Sequence, residues 1–436
     1  MSREMQHSGI EWIGEIPKDW KIMPFKQMYE LGKGLSITKA DLVEEGIPVI
    51  SYGQIHSKAN TGTALKDELI RYVPDALLEN NTSSLVKKGD MIFADTSEDL
   101  DGCGNCVYID RDITIFAGYH TIIAKYQSST PNNYLSYLFK TDCWRSQIRS
   151  SVNGVKLFSV PQKLLGSTTI ILPPLSEQQK IANYLDKVCG EVDEMIALQE
   201  QMIKELKAYK QSVITEAITK GLNPDVPMKD SGIDWIGEVP EHWEVRRIGN
   251  LFKLRDEKNY KPMDEVQLLS LYTGIGVFPH GEQEERGNKA ITVEGYKVVH
   301  KNDIVVNIIL AWMGAIGVSN YDGVTSPAYD VYIPGLSKVV PHFFHYVFRT
   351  QGIAGECYKY GRGIMMMRWR TYSSEFKQIR VPFPSMEEQQ SIADFLDNKC
   401  AEIDALIAVK QAKIDELKDY KKSVIYEYVT GKKEVV

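Results

Sequence analysis

A 43-residue stretch occurs twice in this chain, and no other feature limits its possible folds as much. Residues 177–219 read EQQKIANYLDKVCGEVDEMIALQEQMIKELKAYKQSVITEAIT, and residues 388–430 read EQQSIADFLDNKCAEIDALIAVKQAKIDELKDYKKSVIYEYVT. At a constant offset of 211, 23 of the 43 positions are identical, without a gap. Neither copy holds a proline, Gly190 is the only glycine, and Lys, Glu, Gln, Ala, Leu and Ile dominate, so both predict helix. Apolar side chains recur in steps of four and three, broken once at Gln199 and Lys410. They are Leu185, Cys189, Val192, Ile196, Ile203, Leu206 and Val213, answered by Leu396, Cys400, Ile403, Ile407, Ile414, Leu417 and Val424. That is a heptad seam. A helix of this length runs roughly 65 Å at 1.5 Å per residue, and one such stripe needs a partner to cover it. The simplest partner is the other copy; the competing arrangement is two surface helices, each packed on its own domain.

A second repeat precedes the first. SGIEWIGEIPKDW (residues 8–20) returns as SGIDWIGEVPEHW (residues 231–243) at an offset of 223. Proline between the tryptophans argues against a helix, so the segment reads as a tether anchored by Trp12, Trp20, Trp235 and Trp243 in apolar surface. Between tether and helix the pattern changes to short apolar runs broken by Gly, Asn, Asp and Ser. IPVISY, DMIFAD, CVYID and TIIAKY in the first half, and VQLLSLY, DIVVNII and DVYIP in the second, predict strands. Residues 133–150 and HFFHYVFRTQGIAGECY predict one amphipathic helix each. Lys88-Gly89-Asp90-Met91-Ile92 corresponds by position to Lys301-Asn302-Asp303-Ile304-Val305, but most of the intervening sequence has diverged. The offset falls from 223 to 211 across the domain, so the second copy is 12 residues shorter. Gly221, Pro224 and Pro227 mark a linker. The expected domains are residues 1–172, 173–222, 223–383 and 384–436.

Catalytic signatures are missing. There is no GxxxxGK[ST] loop, GxGxxG turn, GxSxG elbow, HExxH pair or Asn/Asp-Pro-Pro-aromatic motif. Cys103 and Cys106 form a single CxxC without a second pair, short of a zinc site. Asp95, Glu98, Asp99 and Asp101 do not fit a calcium loop and read as a solvated acidic loop. No metal is expected, and six cysteines in 436 residues point to free thiols in a reducing cytoplasm. No apolar run is long enough to span a bilayer, and the N-terminal residues lack a signal-peptide core.

Net charge is −7, which by itself does not favour a polyanionic partner. Local charge does. Lys140, Arg145, Arg149, Lys156 and Lys163 stand against Asp142 alone, and Lys359, Arg362, Arg368, Arg370, Lys377 and Arg380 against Glu375 alone. Both runs carry aromatics (Trp144, Phe158, Tyr360, Trp369) and both lie just before a long helix. Basic residues interleaved with aromatics suit phosphate neutralisation and entry into a nucleic-acid groove. The alternative is a non-catalytic coiled-coil scaffold whose two heads bind proteins.

With PPLSEQQKIANYLD and PSMEEQQSIADFLD at the helix starts, two W-IGE-P-W tethers and two diverged domains, the chain resembles the specificity subunit of type I restriction-modification systems over nearly its whole length. The resemblance implies an α+β fold: two α/β target recognition domains separated by two long helices that pair as an antiparallel coiled coil with pseudo-twofold symmetry. It implies a partner in double-stranded DNA, read as two unlike half-sites with an unread spacer. It further implies two methyltransferase subunits, with two restriction subunits where a nuclease accompanies them. S-adenosylmethionine, ATP and Mg belong to those partner subunits, this chain being non-enzymatic and without a cofactor of its own. The resemblance carries no base-contacting motif, so the candidates rest on charge and loop position. They are Lys33, Lys39, Gln54, His56, Lys58, Arg145, Arg149 and Lys156 in the first head, and Arg255, Lys258, Lys261, Arg286, Arg362, Arg368 and Arg370 in the second.

Overall fold

The computed structural model describes residues 3–128, 133–152, 154, 156–273, 275–281, 292–363 and 369–435. Arg286 and Arg368 lie outside the described residues. The chain forms two compact units, Met1–Gln199 with Ala412–Val436, and Glu200–Gln411. Two short helices, α1 (Tyr134–Lys140) and α2 (Asp142–Arg149), precede the long helix α3 (Leu175–Lys220). The second half repeats the order with α4 (Pro341–Val347), α5 (Gln351–Tyr360) and α6 (Met386–Val429). Because the unit boundaries fall within α3 and α6, each unit owns one half of each long helix.

In the first unit a four-stranded antiparallel sheet runs in the order Cys106–Tyr108, Met91–Ala94, Thr121–Tyr126, Tyr29–Lys33. A second sheet is built from Arg71–Val73, Ile47–Ile50, Ile115–Ala117 and Leu85–Val86, with one parallel pairing between its central strands. The second unit repeats the first sheet in the same order: Ile316–Val318, Ile304–Asn307, Tyr329–Pro334, Phe252–Leu254. Among the described residues its other strands between Leu269 and Thr325 form two antiparallel pairs, Leu269–Tyr272 with Gly276–Pro279 and Lys297–Val299 with Gly323–Thr325, joined by a parallel bridge between Leu268 and Val324. The frame is repeated and the decoration is not.

One expectation needs correction. The single helix predicted over residues 133–150 is two, and so is its counterpart. Thr141 and Thr350 leave the helical region (ψ 145° and 154°), and each hydroxyl accepts a free N–H in the first turn of the following helix, from Trp144 and Ile353, at 3.4 Å. A cap at that point satisfies orphan donors and restarts the chain in a new direction.

All fourteen predicted seam positions are withdrawn from solvent. Ile196, Leu206, Val213 and Ile407 are half-buried, and the other ten are buried. In the first unit Asp193 accepts from Lys421 Nζ at 2.6 Å, while the rings of Tyr184 and Tyr428 lie 4.5 Å apart. Moving back along α3 moves forward along α6, so the helices run antiparallel. In the second unit Lys210 donates to Asp404 at 2.6 Å, the counterpart of the first pair. Cys189 packs with Val424 and Ile425, and Cys400 with Ile214, so the two thiols sit in different units rather than facing each other.

The repeated EQQ-I-A--LD residues fasten the helix starts. Trp20 Nε1 donates to Glu177 at 3.1 Å and Trp243 Nε1 to Glu388 at 2.9 Å. Gln178 and Gln389 donate to the carbonyls of Pro173 and Pro384 at 2.8 and 2.9 Å. Asp186 accepts from Tyr137 at 2.7 Å, and Asp397 from Tyr346 at 2.5 Å. Ile181, Ala182, Leu185 and their counterparts Ile392, Ala393 and Leu396 are buried. Each buried tryptophan also lies against the glycine that ends the other long helix, Gly431 for Trp20 and Gly221 for Trp243, both at positive φ. The tether thus joins the start of one helix to the end of the other within its own unit. The expectation of four anchors is corrected: Trp20 and Trp243 are buried, Trp235 is half-buried over Gly352, and Trp12 is 43% exposed.

Candidate nucleic-acid interface

The heads rest on one turn used twice. Gly89 and Asn302 both take a left-handed conformation (φ 96° and 74°), which glycine and asparagine tolerate best. The following aspartate closes the turn: Asp90 accepts from Lys87 N and Tyr126 N, and Asp303 from His300 N. Asp303 also receives Arg255 through Nε at 2.9 Å and Nη2 at 3.0 Å, and Glu257 takes a third contact. Arg255 therefore braces the frame, and its fork is occupied.

Several candidates of the first head are likewise committed internally. Arg145 donates to the carbonyls of Phe139 and Asp101, and Arg149 to Asp142 and the Asp101 carbonyl. Gln54 closes a capping box on Ser51, and His56 is held between the Thr96 carbonyl and Asn105. Lys33, Lys39, Lys58 and Lys156 are exposed. Lys140 is pushed down to about 8 by burial, then by Lys421 and Arg145, and its ammonium donates to the Thr61 carbonyl at 2.6 Å. The acidic loop is built rather than merely solvated: Asp99 accepts from Gly102 N at 2.6 Å, and the Asp101 carbonyl holds both arginines. Cys103 and Cys106 are buried free thiols, Cys106 pushed up to about 12 by burial.

In the second head Lys258 and Lys261 are exposed. Arg362 and Arg370 pair through their backbones at 2.8 and 2.9 Å. The Arg362 guanidinium, 75% exposed, reaches the buried Glu375 at 2.6 Å. Beside them Trp369 stacks on Tyr358, centroids 5.1 Å apart and planes 24° from parallel. A guanidinium beside a stacked aromatic pair can meet both phosphate and base faces. Among the described residues no group of three His, Cys, Asp or Glu side chains is gathered to hold a metal ion, and no helix is long and apolar enough to cross a membrane.

Sequence reasoning did not single out Tyr119 and His120, and took Asp95 only as part of the acidic loop. They line a cleft of about 500 Å³ with Lys33, Ser36 and Gln162. His120 is a non-glycine residue at φ 53°, and its Nδ1 lies 3.3 Å from Asp95 Oδ1. Nothing local marks this pair, because 24 residues and several turns separate the two.

This is the architecture of a two-headed recognition protein: a repeated frame, a shared helical pair, and heads that differ. The family model described as the type I restriction modification DNA specificity domain matches residues 17–208 and again 240–419, and the chain belongs to that family. The putative type I restriction enzyme MjaX specificity subunit of Methanocaldococcus jannaschii is 26% identical over 431 residues, covering 96% of this chain and 95% of its own. The EcoBI specificity subunit of Escherichia coli is 27% identical over 286 residues, 60% of this chain and 57% of its own. Among solved structures, one titled for complex assembly and conformational transition of the type I R-M system aligns with a TM-score of 0.68 at 16% identity, over 95% of this chain and 99% of that one. The HsdS subunit of Thermoanaerobacter tengcongensis aligns at 0.52 and 16% identity, over 95% and 98%. These structural likenesses show the fold.

Proposed function

We propose that this chain is the DNA-reading and assembly subunit of a type I restriction-modification complex, non-catalytic itself and working in the cytoplasm. One observation carries the reading. The frame, the Trp–Glu and Tyr–Asp contacts and the helix starts are repeated position by position, whereas the exposed residues of the two heads differ. Repetition suits a surface that meets the same partner twice, two methyltransferase subunits, with two restriction subunits where present. Divergence suits two heads that read unlike half-sites across an unread spacer. S-adenosylmethionine for adenine methylation, and ATP with Mg for translocation and cleavage, then belong to the partner subunits. Lys33, Lys39, Lys58, Lys156, Lys258, Lys261 and the Arg362–Arg370 loop are the candidate DNA contacts, the lysines as point charges and the arginines also as base-edge readers.

The test is to express the chain with its methyltransferase and map modified adenines by sequencing. A two-part asymmetric motif is expected, and the chain alone should not methylate. Binding should weaken steeply with salt as neutralised phosphates recover their counterions. Salt-insensitive binding, or methylation without a two-part motif, would refute the reading. Arg368→Ala with Arg370→Ala should alter one half of the motif alone.

A further inference from the structure

The end of the central sheet is held by the same two backbone hydrogen bonds in both units. In the first, Asp95 N donates to the His120 carbonyl at 3.2 Å and Val160 N to the Asp95 carbonyl at 2.7 Å. In the second, Ile308 N donates to the Ala328 carbonyl at 3.3 Å and Thr371 N to the Ile308 carbonyl at 2.8 Å. Asp95 and Ile308 each follow the same strand, and His120 and Ala328 each immediately precede its neighbour. The same pair of hydrogen bonds thus holds Asp and His in one unit and Ile and Ala in the other, although His120 is left-handed and Ala328 is not. A frame that stands with Ile and Ala does not need the Asp–His pair to hold it.

The pair is also costly where it sits. Asp95 Oδ1 is buried and has no hydrogen-bond donor, with the His120 ring 3.3 Å away. His120 adopts the left-handed region, which a non-glycine residue seldom enters and which is a recurrent mark of binding sites. His120 is 62% exposed and Asp95 36%, so both open to solvent at the cleft with Tyr119 and Lys33. Tyr52 stands edge-on to the His120 ring at 6.2 Å. A carboxylate repels phosphate but accepts from an amino group; on a DNA-reading face it selects the exocyclic amine of cytosine or adenine.

We propose that Asp95, oriented by His120, reads an exocyclic base amine in the half-site of the first head, and that the second head offers only an apolar contact at the matching place. The inference rests on the DNA-reading function proposed above. The experiment uses the complete complex with its methyltransferase, mapping modified adenines for wild type, Asp95→Asn, and Asp95→Ile combined with His120→Ala. The double variant copies the residue types that the second unit carries at these hydrogen bonds, and Asp95→Asn, which leaves His120 and its left-handed backbone in place, keeps folding out of the comparison. Both variants should relax or change one base position in one half-site, with a loss of preference of roughly 10- to 100-fold there, the other half unaltered. Whether cytosine or adenine occupied that position identifies the amine. An unchanged motif, a change in both halves, or loss of all methylation by the double variant would overturn the proposal. A wild-type complex without a two-part motif would instead bring down the function on which it rests.

Discussion

Three glycine-to-alanine substitutions should separate what the long helices owe to local propensity from what they owe to packing. Gly190 lies on the exposed face of α3, and a Cβ there would meet nothing within 4 Å. Alanine should therefore recover its helix-propensity advantage of about 0.8 kcal/mol. Gly221 ends α3 at φ 76°, and a Cβ would stand 3.1 Å from the Trp243 ring. The left-handed conformation costs alanine about 1–2 kcal/mol, and the ring can give slightly. Gly431 ends α6 at φ 69°, where a Cβ would collide with the Pro17 ring and press Trp20 at 3.1 Å. Overpacking of about 1–3 kcal/mol then adds to the strain, for a total near 3 kcal/mol. In units of this size about 1 kcal/mol moves Tm by 2–4 °C. Circular-dichroism melting should place Gly190→Ala a few degrees above wild type, Gly221→Ala about 2–8 °C below, and Gly431→Ala about 6–12 °C below. Gly190 and Gly431 belong to one unit and Gly221 to the other, so resolved transitions should shift separately. If Gly431→Ala costs no more than Gly221→Ala, or Gly190→Ala destabilises, the proposed packing of tether on helix end is wrong.

Leu206→Asp or Leu417→Asp places a charge in the seam at about 4 kcal/mol or more, and should abolish soluble chain or its assembly with the methyltransferase in gel filtration; normal assembly would refute the paired seam. His345 is pushed down to about 3, by burial first and then by Arg349 and His342. The unfolded chain thus takes up a proton that the folded one refuses, and stability falls as pH drops from the ordinary histidine range toward 3. His345→Ser, which copies Ser136 of the first unit, should gain on wild type steadily over that window in urea titrations; a pH-independent gap would contradict it. Tyr346→Phe removes the donor to Asp397, which His342 still contacts at 2.8 Å, and should cost about 1–2 kcal/mol in the second unit's melt, with Tyr137→Phe acting similarly in the first.

Much of the fold was legible because it rests on periodicity and repetition. The steps of four and three placed the seam, and the alternation of short apolar runs placed the central strands. The EQQ starts were visible as helix signals, but not as partners of Trp20, Trp243 and the proline carbonyls. Local charge was a weaker guide. Arg145, Arg149 and Arg255 read as DNA contacts, yet their guanidinium groups serve internal carbonyls and carboxylates. The break at Thr141 and Thr350 was overlooked because helix propensity continues through both residues, and only the backbone shows the capping hydroxyl.

The sequence by itself determined that two similar helices exist, that each needs a partner, and that two diverged heads sit on one repeated plan. These properties follow from side-chain spacing along a single element. Only the tertiary structure decided which indole meets which carboxylate, which basic groups remain exposed, and that Asp95 and His120 stand together where Ile308 and Ala328 do in the other unit. Those outcomes depend on strand pairing between distant segments, where one residue of register exchanges every side chain that faces the cleft.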